Sequence, residues 1–111
     1  MSYATAQYGK YASDDLPSRE VEAMALARVN RMLKEEEFSP NRQKALSMNQ
    51  RLWTLLLRSI DSVSMSDTLR SDLMAVGSWA SRYSLSAMNR KISLAPLIDV
   101  NANIIDGLRG Q

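Results

Sequence analysis

The sequence predicts an all-α fold, a small four-helix bundle-like single domain with a flexible N-terminal arm, on three observations. Apolar residues recur at three- and four-residue spacing through four successive segments, the mark of amphipathic helices. The breaks between segments are short and carry helix-start chemistry, at Ser39-Pro40, at Ser66-Asp67 and at Pro96. At 111 residues, 45% hydrophobic and 23% charged, the chain has the size and composition for one core and not for two.

Residues 1–16 read as the arm. They are short of aliphatic residues and contain Gly9, yet Tyr3, Tyr8 and Tyr11 recur close to helical spacing. Two readings stand side by side: a frayed terminus, or a segment whose Tyr8 and Tyr11 order on a partner, since aromatic side chains are favoured interface anchors.

The domain proper is expected over residues 17–111. Pro17 and Ser18 suit the start of a first helix that reaches Glu37, with Glu20 and Glu22 near the positive end of its dipole. Its inward face is expected to hold Val21, Met24, Ala25, Val29 and Met32, with Arg28 on the same arc. A second helix starts with Ser39 as N-cap and Pro40 at its first position, and runs to about Asp61. Its stripe is Ala45, Leu46, Asn49, Leu52, Trp53, Leu56 and Ile60. The serines of 62–66 form a loop, after which Ser66 or Asp67 caps a third helix reaching about Met88. There the stripe is Leu69, Leu73, Val76, Ala80, Tyr83 and Ala87, and the small Gly77, Ala80 and Ser84 let a neighbouring backbone come close. Trp79 sits at the edge of this stripe, with Arg82 placed to cover its ring. Pro96 opens a fourth helix whose inward residues are Leu97, Val100, Asn101, Ile104, Ile105 and Leu108, ended by Gly107 or Gly110.

Composition also narrows the chemistry. The chain has no cysteine and no histidine, so disulfides, thiolate nucleophiles, imidazole bases and most zinc, copper or haem ligand sets are missing. An enzymatic role is therefore not expected, and neither is a cofactor. No apolar run approaches the roughly 20 residues of a membrane-spanning helix, and the polar start lacks the layout of a secretory signal. The expected location is the cytoplasm. Fourteen basic residues against twelve acidic ones, a net +2, favour a protein partner over a nucleic acid.

Three features carry more than composition. Asn49 and Asn101 each sit on an apolar stripe, where an unpartnered amide costs about 1 to 3 kcal/mol, so they are expected to bond each other or a helix-end carbonyl as a polar core that fixes register. Lys44, Arg51 and Arg58 recur every seven residues, with no acidic residue between Phe38 and Ile60, and form a basic ridge that is either a solvated face or a track for RNA phosphates. Seven methionines are many for a tightly specified core; they either fill irregular gaps or line a surface that accepts an amphipathic helix.

With those residues in view, the chain from about Pro17 to Leu108 resembles the FlaF family, the flagellar biosynthesis regulators of alpha-proteobacteria. The resemblance is carried by Arg19-Glu20 with Glu22, by Asn49 with Arg51-Leu52-Trp53, by Trp79 with Arg82, and by Leu97-Ile98-Asp99-Val100-Asn101 with Ile104 and Gly107-Leu108. Gln50 and Ala102 depart from it, each standing where the family often has a basic residue. The resemblance implies a small cytoplasmic helical protein needed for flagellin production and filament assembly, opposed in some species by the translational repressor FlbT. Flagellin is then the expected client, held chaperone-like through its amphipathic terminal helices. The alternative is an RNA-level regulator acting on flagellin message directly or with FlbT. The residues expected to contact a partner are Met24, Arg28, Trp79 and Arg82, with Tyr8 and Tyr11 as accessories.

Overall fold

In a computed structural model of the chain, residues 15–60 and 66–110 are described, the side chains from residue 19 on. They form four helices and, among the described residues, no strand: α1 (Asp15–Glu35), α2 (Arg42–Ser59), α3 (Asp67–Asn89) and α4 (Ala95–Leu108). Tyr8, Tyr11 and most of the 62–66 loop lie outside the described residues.

Each helix runs antiparallel to the next. Ser59 at the end of α2 reaches Glu22 near the start of α1, Arg42 at the start of α2 reaches carbonyls at the end of α3, and Arg109 after α4 pairs with Glu20. The packed neighbours are α1 with α2, α2 with α3, α3 with α4, and α4 with α1, so α1 and α3 stand at diagonal corners. This is the up-and-down arrangement that short connections impose on a four-helix bundle.

The helix ends show where local chemistry decided. The proline of α1 lies in its first turn, where backbone N–H groups have no intrahelical partner to lose. Helix α2 starts at Arg42 instead of Pro40, because Ser39 is engaged in a turn: its carbonyl accepts from Arg42 N at 3.1 Å and its hydroxyl from Asn41 N at 3.0 Å. Ser39 is therefore not the N-cap, and Asn41 takes that position without a side-chain bond. Ser66 caps α3 as expected, its Oγ accepting from Leu69 N at 3.1 Å. Past the end of α4, Gly110 adopts φ +78°, the left-handed conformation that closes a helix at low steric cost.

The core contains most of the expected stripes on α2, α3 and α4, including buried Ala45, Leu46, Trp53, Leu56, Ile60, Leu73, Ala80, Ala87, Leu97, Ile105 and Leu108. The phase of α1 differs from the expectation. Its buried residues are Ala23, Leu26, Val29, Asn30 and Leu33, whereas Val21 and Met24 are 52% and 58% exposed and Arg28 is exposed with them. Only Val29 of the expected set is fully buried. The helix has two apolar arcs, and the fold buries the one that holds Asn30, with Glu22 on its α2 side bonded to Ser59.

At Gly77 a side chain, not the expected backbone, comes close: a Cβ there would stand 2.7 Å from Leu57 Cδ2 and 3.0 Å from its Cγ, so the missing side chain leaves room for Leu57 of α2.

Candidate functional site

A chain of buried hydrogen bonds crosses the middle of the bundle and touches all four helices. Trp53 Nε1 donates to Asn101 Oδ1 at 2.9 Å. Asn101 Nδ2 donates to Asn49 Oδ1 at 2.8 Å and to Asn30 Oδ1 at 3.3 Å. Asn49 Nδ2 passes the direction on to Ser84 Oγ at 3.1 Å, which donates to Ala80 O at 2.7 Å. Asn30 Nδ2 ends the other branch on Ile98 O at 3.1 Å. The indole N–H can only donate, so the oxygen of Asn101 must face it, and every amide downstream is oriented by that constraint.

The expected Asn49–Asn101 pair thus exists, with both side chains fully buried. Sequence reading did not anticipate Asn30, Ser84 or the indole of Trp53 as its partners. Asn30 fell outside the expected inward arc of α1, while Ser84 had been read only as a small residue. Every member is neutral, so the network avoids burying a charge while satisfying its donors. Its chemistry is that of a register lock, since sliding any helix by one turn would orphan several groups at once.

Both ends of the bundle are stitched as well. Arg42 donates from Nη1 to Glu37 O at 2.9 Å and from Nη2 to Ile92 O at 2.6 Å, with longer reaches to Ala87 O and Arg90 O. Its positive charge lies at the carbonyl end of α3, where the helix dipole favours a cation. The carboxylate of Glu37 accepts from Leu94 N at 2.8 Å, at the amino end of α4. At the other end Ser59 Oγ donates to Glu22 Oε2 at 2.8 Å. Burial pushes the Glu22 carboxyl above its ordinary value, and the Ser59 hydroxyl and the charge of Arg19 offset only part of that.

The expected partner-contact residues do not form one cluster. Met24 and Arg28 lie on the outward arc of α1. Trp79 and Arg82 lie on α3, at the diagonal corner. The ring of Trp79 packs on Tyr83, with centroids 5.0 Å apart, and Arg82 Nη1 donates to Ser78 Oγ at 2.7 Å. Arg82 is thus engaged along its own helix instead of covering the indole. Lys44, Arg51 and Arg58 are all exposed on α2.

One surface feature went unread in the sequence. Phe38, on the turn between α1 and α2, is 92% exposed and borders a cleft of about 460 Å³ lined also by Glu37, Ser39, Pro40, Arg42 and Lys91. The available signal was an aromatic residue outside both helical stripes and beside a Ser-Pro turn. No cluster of acidic, histidine or cysteine residues that could hold a metal occurs among the described residues. None of the described helices is long and apolar enough to cross a membrane.

Comparison with known proteins agrees with the residue pattern. No curated protein and no solved structure matches the chain. The family model described as flagellar protein FlaF matches residues 4–108, nearly the whole length. The four helices carrying Asn49 with Trp53, Trp79 with Arg82 and Asn101 with Ile104 accordingly belong to a member of the FlaF family of flagellar proteins.

Proposed function

We propose that this flagellar protein binds flagellin, holding the amphipathic terminal helices of the subunit before they polymerise and so coupling flagellin synthesis to export and filament assembly. The observation that carries the reading is the second apolar arc of α1, where Val21 and Met24 stay more than half exposed although the helix already buries Ala23, Leu26, Val29 and Leu33. Isolated exposed apolar residues are ordinary, but two adjacent ones on the outward face of a packed helix, beside the partly buried Ala25 and Met32, offer a surface to another coil. Methionine suits such a surface because its unbranched, polarizable side chain adapts to varied shapes.

The test is co-purification of flagellin with the full chain. Complex formation that disappears when flagellin's terminal helices are trimmed supports the reading. Loss of interaction only on trimming the central part of flagellin contradicts it.

A second reading, regulation of flagellin message directly or with FlbT, draws on the exposed ridge of Lys44, Arg51 and Arg58. Binding of that message by the protein alone, weakening steeply with salt and lost on neutralising the three cations, would favour it.

A further inference from the structure

Helices α1 and α2 pack against each other, and partly exposed apolar side chains line the outer side of their seam. On the α1 side, Val21, Ala25 and Met32 lie along the edge that faces α2, and on the α2 side Met48, Leu52 and Leu55 lie along the edge that faces α1. The hydrogen bond from Ser59 to Glu22 sets these edges against each other in antiparallel register, pairing the Val21 end with the Leu55 end and Met32 with Met48. Leu55 is 53% exposed, and Met32, Met48 and Leu52 pack on the core while keeping part of their surface in water. The result is an apolar furrow of about three helical turns, or roughly 16 Å.

The α2 side of its rim is cationic, with Lys44, Arg51 and Arg58 all exposed, while the α1 side is mixed, carrying Arg28 and, two turns on along the same face, the exposed Glu35. Helix α2 carries no acidic residue at all. Glu22, which lies at the furrow's end, points its carboxylate inward to Ser59.

We propose that the α1–α2 furrow is a docking groove for an amphipathic helix of about three to four turns whose apolar stripe is flanked by carboxylates. The apolar floor takes leucine-type anchors at i, i+3, i+4 and i+7, and the cationic α2 side of the rim selects acidic flanks and speeds encounter. A carboxylate-flanked coil meets complementary charge along the α2 shoulder, whereas a lysine-flanked one meets three like charges there. The groove takes in Arg28 on its α1 wall; Met24 lies further round α1, towards the Glu20 side, and Trp79 and Arg82 lie on α3. The groove rests on the flagellin reading only for the identity of the natural occupant.

The experiment titrates the full-length protein against three ligands: flagellin, a synthetic amphipathic peptide with a leucine stripe flanked by glutamates, and the same peptide with lysines in their place. The glutamate peptide is expected to bind at least tenfold more tightly than the lysine peptide at low salt, with the difference shrinking as salt rises. Leu55→Glu and Arg51→Glu are expected each to weaken flagellin and the glutamate peptide at least tenfold, and Met74→Glu on α3 to leave both unchanged. Leu55, Arg51 and Met74 are exposed, so these variants keep the core, which circular dichroism verifies.

Flagellin binding that survives both groove variants overturns the groove and leaves the flagellin reading standing. A glutamate peptide that binds and is lost in both variants, with no flagellin binding, supports the groove and overturns the flagellin reading. RNA binding lost in Arg51→Glu but untouched by Leu55→Glu, or self-association through Leu55, makes the seam something other than a peptide groove. Nuclear Overhauser contacts between Tyr8 or Tyr11 and the Leu55 methyls in the free protein would identify the chain's own arm as the occupant and overturn the proposal.

Discussion

Asn101 and Asn49 meet in the centre of the bundle, the amide of one donating to the carbonyl of the other at 2.8 Å with neither side chain exposed. The same Asn101 holds Trp53 and Asn30, so its three bonds join α4 to α2 and α1. Truncation to Asn101→Ala would leave an indole N–H and two amide oxygens without these partners. The expected loss is about 3 to 5 kcal/mol of stability, measured by urea unfolding. A double-mutant cycle with Asn49→Ala should show coupling of about 1 to 3 kcal/mol, because the two changes break a shared network. Additive effects would contradict the register lock.

Trp53→Phe separates shape from hydrogen bonding. The ring remains, but the donor that orients Asn101 is gone, so a cost of about 1 to 3 kcal/mol is expected from the smaller ring and the unpaired oxygen. In the amide spectrum, the side-chain NH2 signals of Asn49 and Asn101 should shift or broaden as the direction of the chain is lost. Unchanged signals would show that the indole does not orient them.

Gly77→Ala sets helix propensity against space. Alanine favours a helix interior by about 1 kcal/mol, yet the new methyl would sit within 3.0 Å of three atoms of the Leu57 side chain. The whole isobutyl group must move, and the clash is expected to win, with a net loss of about 1 to 2 kcal/mol. Leu57→Ala should relieve it, so that Gly77→Ala becomes neutral or stabilising in that background. Thermal unfolding of the four proteins in the cycle decides it.

Glu22→Gln should raise thermal stability at neutral pH. Its carboxyl is held above the ordinary value of 4.5 by burial, so between that value and its folded pKa the unfolded chain has released the proton that the folded chain keeps. Stability from this group is therefore highest at acid pH and falls as pH rises through that window, persisting as a deficit at pH 7. Glutamine can still accept from Ser59 Oγ. The variant's advantage should vanish below about pH 4.5, and an advantage that grows with acid would refute the assignment.

Arg42 holds the junction of α3 and α4 through a planar fork aimed at backbone carbonyls. Arg42→Lys is expected to recover little of the loss caused by Arg42→Ala, about 1 to 2 kcal/mol, since an ammonium cannot span carbonyls separated in this way. Hydrogen exchange at residues 90–95 should accelerate similarly in both variants. Full protection in the lysine variant would mean that charge alone suffices.

Much of the fold was legible because α2, α3 and α4 each have one apolar arc, and the asparagines on α2 and α4 could only be tolerated as partners. Helix α1 misled because it has two. The larger side chains Val21, Met24 and Met32 suggested one phase, while the core took Ala23 and Leu26, packed beside Asn30. Charge did not separate the two arcs, since Arg28 occupies the first while Glu22 and Arg19 fall on the second, where Glu22 is held by Ser59. The candidate groove was hidden for the same reason, since residues assigned to the interior cannot also be read as surface. Ser84 and Trp53 could not be assigned to the polar chain until the third dimension brought them within bonding distance of Asn49 and Asn101.

The polar chain also sets the order of events during synthesis. Asn30, Asn49, Trp53 and Ser84 emerge from the ribosome well before Asn101, the only residue that bonds to three of the others. Without that keystone Asn49 can still meet Ser84, but Asn30 and the Trp53 indole lack the partner that Asn101 gives them, so a three-helix core would hold buried polar groups half satisfied.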